Sequence, residues 1–361
     1  MGSHNPLHCI LPPYILENLA KCDQKAIRDR ALENIAAAAE ARAMRIMTGP
    51  LAPTLAALVA TTAKKHRMIY DLKHKPPAPF QLPGALRRSE GDKKTGDDAV
   101  DEAYDFSGVT YDFYFKLFSR NSLDGRGMTL ISSVHAGKGF DNAFWNGTQM
   151  VYGDGDNIVF TRFTQSLAVV GHELTHGVVT YTSNLDYQDE SGALNEHFAD
   201  AMGSLIRQWQ NDETAGKANW LIGDEIIVPA ATRRAIRDMA NPGSAFKADP
   251  FLGDDPQPGH MKDKYKGNAD NGGVHINSGI PNRAFYLVAT ALGGRAWTRT
   301  GKIWYQTLLQ LNSQSDFQQC ATMTHQVAGN LFGKPNKASS RTHGTRLASL
   351  YETAFVRSRG I

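Results

Sequence analysis

The chain has 361 residues, a length typical of about two domains. Hydrophobic residues make up 41% of it and charged residues 21%, so it can bury proper cores and does not have the composition of a disordered chain. The net charge of +3 does not favour a nucleic-acid or membrane partner, and the three widely spaced cysteines exclude a disulfide framework.

The N-terminal region contains no signal peptide of the Sec type. Residues 1–4 have the composition of a cloning remnant and are left out of the fold prediction, and Pro12-Pro13 interrupts the apolar stretch that a signal peptide needs. The longest apolar-rich stretch, residues 51–63, is broken by Pro53 and falls short of the roughly 20 residues that span a bilayer. We therefore expect a soluble chain.

Residues 15–47 predict one or two helices, because apolar side chains recur every three or four residues, as at Ile27 and Ile35. Thr48-Gly49-Pro50 ends this pattern. The segment is too small to hold a core alone, so we expect it either to pack on the rest of the chain or to be removed from it.

The next part of the chain predicts short strands and one long helix. Residues 73–98 are rich in Pro, Gly and charge, as loops around short strands are, and residues 100–118 predict a buried helix with many aromatic side chains. Residues 132–160 alternate and carry the turn signals Asn146-Gly147 and Asp154-Gly155, so we predict antiparallel strands there.

The second half predicts helices separated by one long irregular segment. Residues 164–182 and 191–210 have helical periodicity, whereas residues 241–273 have none. An irregular segment of that length is usually functional or stabilised by a ligand. From residue 280 onward several helices follow, which predicts a helical C-terminal lobe behind a mixed α+β lobe.

The chemistry is concentrated in the first of these helices, in His172-Glu173-Leu174-Thr175-His176. Residues four apart lie about 40° apart around a helix and about 6 Å along it, so both imidazoles can bind one metal ion. Glu173 projects about 100° away, beside that ion. Two imidazoles and a carboxylate leave a tetrahedral Zn²⁺ one position for water, from which Glu173 can remove a proton.

The second of these helices supplies the missing carboxylate. Glu196 fits the third ligand, and Asp200, one turn later on the same face, can hold the far nitrogen of a ligand histidine. His197 is an alternative third ligand on chemistry alone, although it projects about 100° from the face of Glu196 and Asp200.

Over residues 68–361 the sequence resembles the thermolysin-like (M4) zinc metallopeptidases. The matching stretches, which occur in the family's order, are Asn142-Ala143-Phe144-Trp145, His172 to His176, Tyr187-Gln188-Asp189-Glu190-Ser191-Gly192, Asn195-Glu196, Arg237 and residues 270–279. The short N-terminal segment with Pro12-Pro13-Tyr14 is similar to the propeptide of the protealysin-like branch of this family.

The resemblance implies an α+β fold with two lobes and the zinc site between them, preceded by a short helical propeptide. It implies a propeptide at residues 1–50, with its boundary between 45 and 65. The N-terminal catalytic lobe would span residues 66–185 and the helical C-terminal lobe residues 186–361.

The resemblance also implies a zinc endopeptidase and assigns roles to the matching residues. His172, His176 and Glu196 would bind zinc, and Glu173 would be the general base. Tyr187 and His275 would donate hydrogen bonds to the oxyanion of the reacting carbonyl. The residues that would support these groups or hold the substrate main chain are Asn195, Asp200, Asp270, Asn142, Ala143 and Arg237.

The positions that match the family's S1′ pocket are all apolar. They are Phe160, Phe163, Val169, Ile222, Ile226 and Ile236. We therefore expect a preference for a bulky hydrophobic residue directly after the cleaved bond.

The sequence departs from the family at its calcium sites. The positions of the family's double calcium site hold Ala168, Arg207, Asn219, Leu221 and Asp224. Ca²⁺ prefers six to eight oxygen ligands, so this set predicts that the double site is absent. A further family site aligns with residues 232–234, which contain no acid. Asp154 with Asp156, and Asp254 with Asp255, fit either single calcium sites or ordinary turns.

Because residues 5–47 are still present, the resemblance implies a latent precursor that its own propeptide inhibits in cis. Leu11, Pro12, Pro13 and Tyr14 would lie in the cleft, since proline lacks an N–H and makes a rigid, poor substrate. Cys9 either binds the open zinc position as a thiolate or is a small buried hydrophobe. Cleavage between about residues 45 and 65 would activate the enzyme.

The partners expected on this basis are peptide or protein substrates and the propeptide, with a protein inhibitor as a further candidate. The family resemblance implies secretion, but without a Sec signal we expect a cytoplasmic precursor or another export route. Two alternative functions are a silent zinc-binding module and a processing peptidase with one protein substrate. The intact Glu173, Tyr187 and His275 argue against the silent module.

Overall fold

The structure is a computed structural model that describes residues 8–48, 64–78 and 81–333. The apolar-rich stretch at 51–63, most of the predicted propeptide boundary and the end of the predicted C-terminal lobe lie outside these residues. None of the helices in the described ranges combines the length and the apolarity needed to cross a bilayer.

The N-terminal segment forms two helices, as the periodicity predicts, and a short strand that was not predicted. Strand β1 spans His8–Cys9, helix α1 spans Pro13–Leu19 and helix α2 spans Lys25–Thr48. Pro13 occupies the first turn of α1, where its missing N–H costs no helical hydrogen bond. The apolar side chains of α1 are buried in the same hydrophobic cluster as both catalytic lobes, so the segment packs on the rest of the chain.

A mixed sheet forms the base of the N-terminal lobe. Its further strands are β2 (Arg67–Asp71), β3 (Ala85–Ser89), β4 (Leu130–Ala136), β5 (Ala143–Trp145) and β6 (Met150–Gly153). The spatial order is β1-β5-β6-β4-β2-β3, so the N-terminal strand β1 extends the sheet at its β5 edge.

The strand directions correct one prediction. Antiparallel pairing was expected throughout residues 132–160, but β4 runs parallel to β6, and β2 runs parallel to β4. The turn signals correctly indicate the antiparallel β5–β6 hairpin. These turn signals carry no information about which strand pairs with the other edge of β6, and that strand is β4.

Helix α3 (Asp98–Phe118) packs on this sheet and matches the predicted aromatic helix. The Asp97 side chain caps its first turn by accepting a hydrogen bond from the Val100 N–H at 3.3 Å. Its buried aromatic face lies in the main core, which fixes the sheet against the helices behind it.

Two buried helices form the centre of the molecule, α4 (Leu167–Thr180) and α5 (Asp189–Gln210). They approach closely because glycine lies at their contact. A Cβ atom on Gly203 of α5 would stand 2.5 Å from the carbonyl oxygen of Ala168 in α4, a distance that no larger residue tolerates. This close packing brings the two chemistry-bearing helix faces together.

The C-terminal lobe is mainly helical. After the short β7 (Leu221–Ile222) and β8 (Arg237–Asp238), which pair with each other and were not predicted, the chain stays irregular up to α6. The helices that follow are α6 (Ala269–Asn277), α7 (Gly279–Leu292), α8 (Thr300–Leu308) and α9 (Phe317–Phe332).

Candidate active site

The three predicted metal ligands meet where α4 packs on α5. The Nε2 atoms of His172 and His176 lie 3.0 Å apart. The Glu196 carboxylate lies 3.5 Å from His172 Nε2 and 3.4 Å from His176 Nε2. All three side chains are fully buried. A single cation can therefore contact two imidazole nitrogens and one carboxylate.

The partners behind the imidazoles fix their tautomers. His172 donates through Nδ1 to Asp200 at 2.8 Å. His176 donates through Nδ1 to the amide oxygen of Asn195 at 2.9 Å. The amide nitrogen of Asn195 donates to the Leu185 carbonyl, which fixes the orientation of that amide. Both Nε2 atoms consequently present lone pairs to each other and to a carboxylate, an arrangement that needs a cation to be stable.

The donor set also fits zinc by its chemistry. Glu196 Oε2 is buried and accepts no hydrogen bond from the described part of the chain, as expected for an oxygen that faces a cation. Two neutral imidazoles and a carboxylate match the donors of catalytic zinc sites, which keep a further position open.

Glu173 lies beside this site and off the ligand face. Its Oε2 accepts a hydrogen bond from the Trp145 N–H of β5 at 3.0 Å. Burial, reinforced by the nearby Glu196 carboxylate, raises the pKa of Glu173 well above its ordinary value. Such a carboxyl group is suited to accept a proton and return it.

A strained turn at the start of α6 positions the second half of the site. Asp270, Asn271, Gly272 and Gly273 are four successive residues with φ between 51° and 82°. This left-handed run, which Asn and Gly tolerate, folds the Asp270 carboxylate back onto His275. Asp270 accepts hydrogen bonds from His275 Nδ1 at 2.6 Å and from the His275 backbone N–H at 2.8 Å.

His275 and Tyr187 both point toward Glu196. The Tyr187 hydroxyl donates to Glu196 and lies 3.1 Å from His275 Nε2. Burial alone would lower the pKa of His275, but the carboxylates of Asp270 and Glu196 outweigh it and raise that pKa to about 9. Burial and Glu196 also raise the pKa of Tyr187, so both groups keep their protons at neutral pH.

Arg237 and Asp200 form a buried, bidentate ion pair behind the ligands. Arg237 Nε and one terminal nitrogen each donate to Asp200 at 2.8 Å, and the other terminal nitrogen donates to the Ile10 carbonyl at 2.9 Å. Although burial opposes ionisation, Arg237 and His172 hold the pKa of Asp200 well below its ordinary value. Asp200 therefore stays ionised and holds His172 in place.

His197, the alternative third ligand, does not face the site. Its Nδ1 lies 2.8 Å from Asn282 Oδ1, and its Nε2 accepts from the Trp304 indole at 2.8 Å. Asn282 in turn donates to Asp200 at 2.8 Å. His197 thus belongs to a buried chain of hydrogen bonds that ends on Asp200, and no spacing signal in the sequence indicates it.

The propeptide strand lies across the site, paired with β5. The Cys9 carbonyl accepts from His275 Nε2 at 3.0 Å. Ile10 donates its N–H to the Ala143 carbonyl at 3.2 Å, and the Leu11 N–H lies 3.3 Å from Asn142 Oδ1. The predicted main-chain binders Asn142, Ala143 and Arg237 are therefore all engaged by residues 10 and 11 of this chain.

The predicted apolar pocket is a single buried group of side chains. Phe160, Phe163, Val169, Ile222, Ile226 and Ile236 are fully buried in the main hydrophobic cluster. Ile10 is fully buried in the same cluster. Pro12, which is buried, and Pro13 follow at the start of α1, and the Tyr14 ring packs against the cluster.

The thiol of Cys9 is not part of the cluster of potential metal ligands, which consists here of His172, His176 and Glu196. Cys9 is buried and contacts the site through its carbonyl oxygen. Sequence analysis placed residues 11–14 in the cleft and considered the Cys9 thiol, but it did not identify Ile10 or the backbone contacts of residues 9–11, because these contacts carry no side-chain signature.

Arg207 is at one of the positions where the family resemblance would place the double calcium site. Arg207 is buried and donates to Asp224 at 2.8 Å and to the carbonyls of Asn219 and Leu221 at 2.7 and 2.8 Å. Its guanidinium thus takes up the oxygens that a cation would need.

The remaining calcium candidates have other partners. Asp156 Oδ1 accepts three backbone N–H groups, from residues 158–160. Asp255 likewise accepts from Gly243, Ala245 and Gln257. These contacts are those of ordinary turns.

Comparisons with known proteins agree with this geometry. The family model described as thermolysin metallopeptidase, catalytic domain, matches residues 58–180, and the model described as thermolysin metallopeptidase, alpha-helical domain, matches residues 183–345. An extracellular metalloprotease of Pectobacterium carotovorum subsp. carotovorum is 44% identical over 329 residues, which are 91% of this chain and 92% of the relative.

Two further similarities cover nearly the whole chain. Protease PrtS of Photorhabdus sp. (strain Az29) is 45% identical over 332 residues, 90% of this chain and 87% of that protein. The solved structure of the precursor of protealysin, a metalloproteinase from Serratia proteamaculans, matches with a TM-score of 0.84 at 42% identity and covers 98% of this chain and 99% of that one.

Proposed function

The chain belongs to the thermolysin (M4) family, is a protealysin-like zinc metalloendopeptidase in its precursor form, and within that activity we propose that Glu173 is the general base. The observation that carries the proposal is the buried convergence of His172, His176 and Glu196 with Glu173 beside them. The test is casein hydrolysis by the matured protein with and without a zinc chelator, alongside Glu173→Ala. We expect both the chelator and the substitution to abolish hydrolysis, whereas full activity in either case would refute the proposal.

The metal-binding residues in this proposal are His172, His176 and Glu196. A zinc ion held by them would polarise a carbonyl and lower the pKa of a water molecule. Asn195 and Asp200 hold the two imidazoles with their lone pairs facing inward, toward the position that the metal ion would take.

Glu173 moves the proton in this mechanism. Its raised pKa lets the carboxylate take a proton from the attacking water and deliver it to the leaving amine. The hydrogen bond from the Trp145 N–H keeps one oxygen fixed, which leaves the other to face the reacting atoms.

Tyr187 and His275 stabilise the negative charge that develops on the substrate carbonyl oxygen. Support comes from the Cys9 carbonyl, which already accepts from His275 Nε2. Because Asp270 holds the other ring nitrogen, His275 offers a fixed, protonated donor to that position.

The substrate main chain binds as an added strand on β5, in the manner of β1. Asn142, Ala143 and Arg237 would contact the two residues after the cleaved bond, because they contact Ile10 and Leu11 here. By this register the Cys9–Ile10 bond occupies the position of the scissile bond.

The residue after the scissile bond would enter the apolar pocket that surrounds Ile10. We expect peptides with Leu or Phe at that position to be cleaved at least about tenfold faster than peptides with Asp, since burying an unpaired carboxylate is costly. Equal kcat/KM values for Leu and Asp peptides would contradict this assignment.

Latency follows from the same register. The propeptide fills the substrate position, and its burial through α1 and α2 holds it there. Removal of about residues 1–50 by a cut between residues 45 and 65 would open the cleft and leave catalytic lobes at residues 66–185 and 186–361. That cut lies largely outside the described residues.

The relatives include an extracellular metalloprotease, which supports secretion of this enzyme. We also propose that the protein folds without the family's double calcium site. The contacts of Arg207 with Asp224 and with two backbone carbonyls support this proposal.

A further inference from the structure

A second cluster of histidines and carboxylates lies at the carboxyl edge of the parallel strands. His74 follows β2 by three residues, His135 is the second-last residue of β4, and Asp154 comes directly after β6. Because β2, β4 and β6 are parallel neighbours, their carboxyl ends meet at one edge of the sheet. This cluster shares no residue with the candidate active site.

The three side chains present one ligand atom each to a common point. His135 Nδ1 lies 2.9 Å and His74 Nδ1 3.4 Å from Asp154 Oδ2. All three ligand atoms lie within 4.8 Å of one another. The corresponding separations in the candidate active site are 3.0, 3.4 and 3.5 Å, so the two clusters have similar size and composition.

The cluster also has an outer carboxylate. His135 Nε2 lies 3.1 Å from Asp97 Oδ2, in the same relation that Asp200 has to His172. Metal-binding histidines usually donate their second ring nitrogen in this way. Asp97 is the N-cap of α3, so the cluster connects three strand ends to the start of a helix.

The backbone holds both histidines in unusual conformations. His74 has a φ of 56° and His135 a φ of 54°, left-handed values that are uncommon outside glycine, although histidine adopts them more often than most residues do. The His74 N–H donates to the His135 carbonyl at 2.9 Å, which locks the two strained residues together. Strain of this kind persists only where the surrounding structure imposes it, and it is concentrated at functional sites.

We propose that His74, His135 and Asp154 bind a second divalent transition-metal ion, with zinc as the representative ion. Two imidazoles and one carboxylate suit metals of this class, whereas Ca²⁺ would require several more oxygens. On binding, the proton shared by His135 Nδ1 and Asp154 leaves to solvent. The ion is structural: it ties the ends of β2, β4 and β6 together and, through Asp97, to α3.

The site is open to exchange with solvent. The His74 side chain is 51% exposed, Asp154 23% and His135 19%. We therefore expect weaker binding here than at the fully buried active site, and removal of this ion should leave the fold intact.

The test is a zinc titration of the full-length Glu173→Ala chain, stripped of metal, against a chromophoric chelator. We expect two equivalents to bind. His74→Asn in this background should weaken the second equivalent at least tenfold and remove the rise in Tm that accompanies it. Asparagine tolerates the left-handed backbone, and this variant keeps the contacts of His135 with Asp97 and Asp154.

Two controls separate this site from the active site. His325→Gln changes an exposed histidine on α9 and should retain both equivalents. Glu196→Ala should lose the tighter equivalent and keep the weaker one. Binding of a single equivalent to the Glu173→Ala chain, or two unaltered equivalents in His74→Asn, would overturn the proposal and leave His135 as a protonated bridge between two carboxylates.

Discussion

Two glutamates of the active site have the same side chain and different tasks because their surroundings differ. Glu196 faces both imidazoles and accepts from Tyr187. Glu173 points off that face and accepts from a backbone N–H of β5. Burial and the nearby Glu196 carboxylate raise the pKa of Glu173, which suits a group that must take up and release one proton per catalytic cycle.

Because the two glutamates have different tasks, replacing each with glutamine should have different effects. Glu173→Gln in the matured enzyme should lower kcat/KM by about 10²–10⁴-fold and leave the zinc content unchanged, because the amide cannot accept the proton. Glu196→Gln should remove one equivalent of zinc. Peptide hydrolysis and elemental analysis measure both outcomes, and a Glu173→Gln enzyme within tenfold of wild type would contradict the assignment.

At the scale of residues, helix geometry and chemistry could predict which groups converge. Four-residue spacing brings His172 and His176 together, and the next helix offers Glu196 and Asp200 on one face. The surroundings of His197 could not be predicted, because its partner Trp304 is 107 positions away and the indole carries no sequence signature of a hydrogen bond.

At the scale of elements, β1 explains latency through its backbone. The Cys9 and Ile10 carbonyls and the Ile10 and Leu11 N–H groups all contact the active site, and the Cys9 thiol lies outside the cluster of potential metal ligands formed by His172, His176 and Glu196. The side chain of Ile10, in contrast, is fully buried.

We therefore predict that Cys9→Ser leaves latency unchanged, whereas Ile10→Asp releases the strand. Burying an unpaired carboxylate costs several kcal/mol, which should raise the initial rate of peptide hydrolysis by freshly purified precursor at least about tenfold. Leu32→Asp, at a position on α2 that is 53% exposed, is the matched control and should remain latent. Activation by Cys9→Ser would instead show that the thiol holds the zinc.

The anchorage of α3 on the sheet is also electrostatic. Arg88 of β3 donates to Asp101 at 2.9 Å, and Asp101 further accepts backbone N–H groups of Thr95 and Gly96. Although burial opposes ionisation, these hydrogen bonds and Arg88 lower the pKa of Asp101. A carboxyl group whose pKa is lowered by folding stabilises the fold at every pH above about 3.9, the pKa of aspartate in the unfolded chain. This contribution is lost as the pH falls below that value.

Asp101→Asn should therefore cost about 2 kcal/mol of unfolding free energy at pH 7 and progressively less below pH ~4. Urea unfolding of the full-length Glu173→Ala chain, with and without Asp101→Asn, measures this cost at pH 7 and at a pH below ~4. Asp105→Asn, one turn later and 41% exposed, should change little at either pH. An equal cost of Asp101→Asn at both pH values would show that the effect is not electrostatic.

At the scale of the whole molecule, we propose that the buried Arg207 guanidinium takes the place of the family's double calcium site. Arg207 binds one carboxylate and two carbonyls near the junction of α5 and β7. An arginine carries its charge permanently, so these contacts do not require a bound ion.

We predict that millimolar CaCl₂ raises the Tm no more than MgCl₂ does. Arg207→Leu should cost about 3 kcal/mol, since it removes the cation from the Asp224 carboxylate and the donor from the Asn219 and Leu221 carbonyls. Arg295→Leu breaks an exposed ion pair with Asp212 and should cost less than about 1 kcal/mol. A calcium-specific rise in Tm would contradict the replacement.

The whole-molecule topology was the least predictable feature. Helix periodicity located α3, α4 and α5 to within a few residues, but the parallel register of β4 and β6 depends on contacts that no local pattern encodes. For the same reason sequence analysis did not bring His74, His135 and Asp154 together.

The most direct test of the account is an anomalous difference map, recorded at the zinc absorption edge from crystals of the full-length Glu173→Ala chain. We predict a peak enclosed by His172 Nε2, His176 Nε2 and the Glu196 carboxylate, with the backbone of Cys9 and Ile10 lying across it. A map without a peak at this position, in which the two imidazoles no longer face each other, would contradict the central claim.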